Sequence, residues 1–96
     1  MVTKAEARRL VEARISTWPL LAPGDELVIV DASTREADFG WVFFYQSRMH
    51  LETGALRHAL AGNAPFIVDR DTGDIVTTGT VHPIEHYIAE YESRHR

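Results

Sequence analysis

Apolar positions recur along this chain in two rhythms, and the change from one to the other lays out its elements. From Thr3 to Thr17, Ala7, Leu10, Val11 and Ile15 fall at helical spacing, with Trp18 next in the stripe, while Arg8, Arg9, Glu12 and Arg14 take the other side. Thr3 followed by Glu6 fits the reciprocal arrangement in which a hydroxyl and a carboxylate each satisfy a free amide at a helix start. Pro19 stops the run, so an amphipathic helix is predicted from Thr3 to Thr17. The rhythm then shortens. After a Pro23-Gly24-Asp25 turn, the stretch from Glu26 to Asp31 is rich in β-branched residues and apolar on both faces.

The run from Asp38 to Ser47 places aromatic side chains on both faces of one strand. Trp41, Phe43 and Tyr45 point one way, and Val42, Phe44 and Gln46 point the other. A strand with one wet face alternates apolar and polar residues, so this one is predicted to be central and covered on both sides. It is expected to pair with Glu26 to Asp31 across the polar connection Ser33 to Phe39, with Gly40 marking a bulge or a tight entry.

Between Arg48 and Ala64 the pattern fades, and Leu51, Leu56, Ala59 and Leu60 suit either a loop or a short helix from Gly54 to Ala61. Two β runs, Phe66 to Asp69 and Asp74 to Thr78, flank Asp71-Thr72-Gly73 and predict a hairpin. Pro83 suits the first position of a closing helix, along which Ile84, Tyr87, Ile88 and Tyr91 form a stripe. The predicted fold is α+β, a four-stranded antiparallel sheet flanked by N-terminal and C-terminal helices, with a short helix or loop between the two strand pairs. Both helices are expected on one face. The other face is then left to the middle segment, a second copy or another protein.

Ninety-six residues, 45% of them hydrophobic, predict a single domain over residues 1–96. Without cysteine, disulfides and cysteine-ligated metals are excluded, and the charged first residues and short apolar runs argue for a cytoplasmic protein outside the membrane. The net charge of −4 is unevenly spread: residues 19–38 hold the acids Asp25, Glu26, Asp31, Glu36 and Asp38 against Arg35 alone. Such a region repels phosphate, so nucleic acid is not an expected partner. Trp41, Phe43 and Tyr45 resemble a base-stacking platform, but their charged neighbours carry the wrong sign.

Three patterns touch on catalysis. His82-Pro83-Ile84-Glu85-His86 matches a zinc-peptidase spacing, yet Pro83 places His82 at a cap, where the imidazoles need not share a face. Asp71-Thr72-Gly73 matches an aspartic-protease triplet but sits at a charged hairpin tip, where no carboxylate pair is shielded from water. None of Ser16, Ser33, Ser47 and Ser93 lies in a glycine elbow or beside a histidine. No enzyme, metal or cofactor is predicted.

Asp38-Phe39-Gly40-Trp41-Val42-Phe43-Phe44-Tyr45, Gly62-Asn63-Ala64-Pro65-Phe66-Ile67-Val68-Asp69, Gly73, Gly79-Thr80 and Ile84-Glu85-His86-Tyr87-Ile88 together resemble the bacterial immunity protein 35 family. The resemblance implies a small α+β domain that acts in the cytoplasm as the antidote of a polymorphic toxin system, binding a toxin domain and blocking it. The family's characteristic tryptophan corresponds to Trp41, and the resemblance brings no catalytic set. The expected partner is a cognate protein toxin domain, with Trp41, Phe43 and Tyr45 as aromatic anchors and Asp31, Glu36 and Asp38 as an acidic surround. The alternative is a stand-alone, chaperone-like or homodimeric binding module that uses the same apolar face.

Overall fold

The computed structural model describes residues 1–17, 24–54 and 64–94. The first helix, α1, runs Lys4–Ile15, and the Thr3/Glu6 cap is formed in both directions, at 3.2 and 3.1 Å. Strand β1 (Leu27–Ile29) leads through a single 3-10 turn (Asp31–Ser33) to β2 (Arg35–Ala37), and a tight turn at Asp38 and Phe39 opens β3 (Gly40–Phe43). β4 (Tyr45–Ser47) follows after one residue, then the helix α2 (Arg48–Thr53), the hairpin β5 (Phe66–Asp69) and β6 (Ile75–Thr77), and finally α3 (Ile84–Arg94).

Among the described residues six strands form two sheets, ordered β2-β3-β5-β6 and β1-β4, with antiparallel pairings throughout. The aromatic run therefore breaks at Phe44. Its first half is the centre of the larger sheet and its second half pairs with β1, so the partner expected for the Trp41 stretch is instead the partner of Tyr45. Gly40 is required at the entry: its φ is 149°, and a Cβ there would lie 1.9 Å from the Val68 carbonyl oxygen.

The predicted alternation is observed. Trp41 stands opposite Val68, which stands opposite Ile75, and Phe43 opposite Phe66, all on one face; Val42, Ile67 and Val76 form the matching row on the other. The two terminal helices do not share a face, however. Ala7, Val11 and Ile15 of α1 pack with the Trp41 row, whereas Ile84, Ile88 and Tyr91 of α3 pack with the Val42 row. Each side of β3 is thus roofed by one helix, which removes the excess of uncovered sheet expected from the sequence. The reason is register: each helix has one apolar stripe, and each of the two rows needs one.

The helix expected from Gly54 to Ala61 lies outside the described residues beyond Gly54. Gly54 itself ends α2 in the left-handed conformation, φ 69°, with its amide bonded to the His50 carbonyl. Ser47 starts that helix, its hydroxyl accepting from the His50 amide at 3.2 Å and donating to Asp25. The other Asp25 oxygen accepts from the amides of Glu26 and Met49, so one carboxylate ties the start of α2 to the approach to β1.

Candidate partner-binding surface

The three acids expected to meet a partner lie on the exposed rim between the 3-10 turn and the β2–β3 hairpin. Two of them are already engaged. Asp31 receives a forked pair from Arg8, Nε to Oδ1 at 2.8 Å and Nη2 to Oδ2 at 3.0 Å, and this hydrogen bonding holds its carboxyl below the usual value. Glu36 meets Arg70 at 3.1 Å. Asp38 stands exposed at the hairpin turn.

The three rings are placed differently from the expectation of a presented hot spot. Trp41, Phe43 and Tyr45 are 2%, 0% and 3% exposed, because α1 lies over their face. Trp41 carries the Arg70 guanidinium 4.6 Å from its ring centroid, and Arg70 also donates to Glu36 and to the Ala37 carbonyl. Tyr45 stacks on Phe66 at 5.2 Å and donates its hydroxyl to the Ala64 carbonyl at 2.8 Å; burial pushes the phenol pKa up. In this arrangement the aromatic set packs in the core beneath α1 and does not itself face outward. Arg70, which links Trp41 to the acidic hairpin, carried no sequence signal beyond its place in a turn.

The histidine motif assembles only in part. His82 and His86 do share a face, with ring centroids 4.1 Å apart, since the turn before α3 folds His82 back so that its amide reaches the Tyr87 hydroxyl. Glu85 turns away to Arg35 at 3.3 Å, and His86 meets Glu90 at 3.5 Å. Among the described residues no group of three or more His, Asp or Glu side chains is gathered so as to hold a metal ion.

Asp71-Thr72-Gly73 is a hairpin turn whose amides at Asp71 and Thr72 donate to one Asp69 oxygen. The other Asp69 oxygen takes the Tyr91 hydroxyl, fastening α3 to the hairpin. That bond is the largest of the causes that depress the Asp69 carboxyl, while burial first and then Asp69 raise the Tyr91 phenol.

Among the described residues, a trough of about 410 Å³ lies between α1 and β1 and a slot of about 80 Å³ between α3 and the β5–β6 hairpin. No helix among the described residues is long and apolar enough to cross a membrane.

The described residues form an α+β arrangement with helices on opposite faces of a central strand and arginine-braced acids along one rim. Comparison with known families places it: the model of the family Immunity protein 35 matches residues 5–92, and the chain belongs to that family. Among curated proteins, the uncharacterised protein YrhB of Escherichia coli (strain K12) is 51% identical over 53 residues, which is 55% of this chain. The match spans 56% of YrhB, so the chain covers about half the length of that relative. No solved structure matches.

Proposed function

We propose that this chain is a non-enzymatic immunity protein that binds the toxic domain of a bacterial polymorphic toxin in the cytoplasm and blocks it by occlusion. The observation that carries this reading is family membership over residues 5–92. Three features support it: an acidic rim for encounter with a basic surface, a rigid sheet beneath that rim, and ion pairs in place of a reactive centre at Asp31, Glu36 and Glu85. Asp31, Glu36 and Asp38 act in steering, where charge changes association more than residence. Trp41, Phe43 and Tyr45 contribute by holding the hairpin in place, which keeps the ordering cost of binding low.

The test is expression of the chain together with the toxic domain encoded beside it. Growth should be restored and a one-to-one complex should copurify; unrelieved toxicity with no complex would reject the reading. Within that complex, reversal of all three acids (D31K, E36K and D38K) is expected to lower the association rate by about tenfold at low salt, with the difference shrinking as salt is added. An unchanged rate in a folded triple variant removes the rim from the encounter surface.

A further inference from the structure

Among the described residues, strand β1 is paired on one side only. Val30 N donates to Phe44 O at 2.8 Å and Arg48 N to Glu26 O at 2.9 Å, and Val28 stands opposite Gln46 between them. The bonded positions are therefore Glu26, Val28 and Val30, and the amides and carbonyls of Leu27 and Ile29 point to the outer edge. That edge opens on the larger trough, whose walls include Glu12, Ala13 and Ile15 on the helix side and Glu26, Leu27 and Ile29 on the strand side.

An edge free of proline, lysine and bulges is open to pairing with another strand, and a short strand limits the number of bonds it offers. β1 reads Leu27-Val28-Ile29 and has none of these protections. Of the other edge strands among the described residues, β2 presents the charged Arg35 and Glu36, β6 adjoins only the small slot, and β4, the other edge of the small sheet, does not line the trough. Charge narrows the choice of occupant. Glu12, Glu26 and Asp31 stand along this side against Arg8, which is already engaged by Glu12 and Asp31, and Glu26 meets Arg48 only at 3.6 Å.

We propose that the trough between α1 and β1 receives an extended segment of the toxin domain as an added strand, one in which apolar side chains alternate with Lys or Arg. Main-chain bonds to Leu27 and Ile29 supply the grip, apolar side chains fall towards Ile15, and the basic ones meet Glu12 and Glu26. This inference rests on the immunity reading and names the surface through which it acts.

The experiment uses the full chain and the neighbouring toxin domain, inactivated by mutation. Ala13 is exposed and lines the trough, so A13R fills it, while A89R places the same bulk on an exposed position of α3. A13R is expected to weaken binding by about tenfold or more and A89R to leave it unchanged, and the amides of Leu27 and Ile29 should become protected from hydrogen exchange in the complex. Binding that A13R leaves intact, with exchange at both amides as in the free chain, overturns the docking surface while the immunity reading stands. Wild-type protein that binds no toxin overturns both. Should A13R disturb folding, exchange in the wild-type complex decides alone. Protection of the two amides that grows with the concentration of the free chain assigns the edge to a second copy and overturns the proposal.

Discussion

The two faces of β3 are sealed in different ways by residues that alternate along the same four positions. On the α1 face, buried apolar groups from α1, β1, β3, β4 and β5 meet in one cluster, with Phe43 at its centre and no water-accessible surface on it. On the α3 face, among the described residues, the buried members are Val42, Ile67 and Tyr91, with half-buried Phe39, Phe44, Val76, Ile84 and Ile88 packed against them. The thinner face adds a polar fastening, Tyr91 to Asp69, at its edge. One side relies on apolar area, which is non-directional; the other combines less area with a hydrogen bond that fixes where the helix sits.

Neighbouring phenylalanines offer the sharpest way to break this contrast. Phe43→Ala is expected to cost about 3–5 kcal/mol in urea unfolding and Phe44→Ala, half-buried on the other face, roughly half as much. Equal costs would mean that the faces are energetically alike. Gly40→Ala strikes both faces together, since it forces a side chain against the Val68 carbonyl at the shared strand's start; a loss of the order of 3 kcal/mol is expected by the same measurement.

Tyr91→Phe tests the fastening, with an expected loss of about 1 kcal/mol near neutral pH. Its pH dependence has a definite sign. Because Asp69 titrates below its ordinary value of 3.8, the stability it contributes is present above that value and is lost as pH falls through the lower folded one. The gap between wild type and Tyr91→Phe should therefore close in acid, and a gap constant across that range would assign the effect to packing. The smallest effect is expected at the surface, where Arg8→Ala should cost about 0.5 kcal/mol in thermal unfolding at low salt and less at high salt.

Local chemistry was legible in the sequence where it acts over a few residues. The Thr3/Glu6 cap, the Asp71-Thr72-Gly73 turn, the stripe on α3 and the two-faced character of Trp41 to Phe44 all depend on neighbours no more than four positions apart, and all appear in the structure. What escaped depends on distant pairing. The residues on either side of Phe44 have the same strand propensity, so nothing local marks the change of partner from β5 to β1. Nor does an apolar stripe on a helix say which side of a sheet it will cover. The position of α2 has a local signal, since Ser47 and Gly54 are a start and a stop. For the acidic rim, the sequence named the acids but not the arginines that meet them, because Arg8 and Arg70 arrive from 23 and 34 residues away.

The break at Phe44 leaves two sheets joined through the main chain there and again where residues 30–34 lead from β1 to β2. A load applied to the small sheet at β1 therefore reaches the large one by both routes. Under the proposed function, partner capture and global melting then draw on a single linked equilibrium, in which a tight companion raises the melting temperature as its concentration exceeds its dissociation constant. Loosening the interior at Phe43 would, by the same linkage, be felt at a surface that Phe43 never touches.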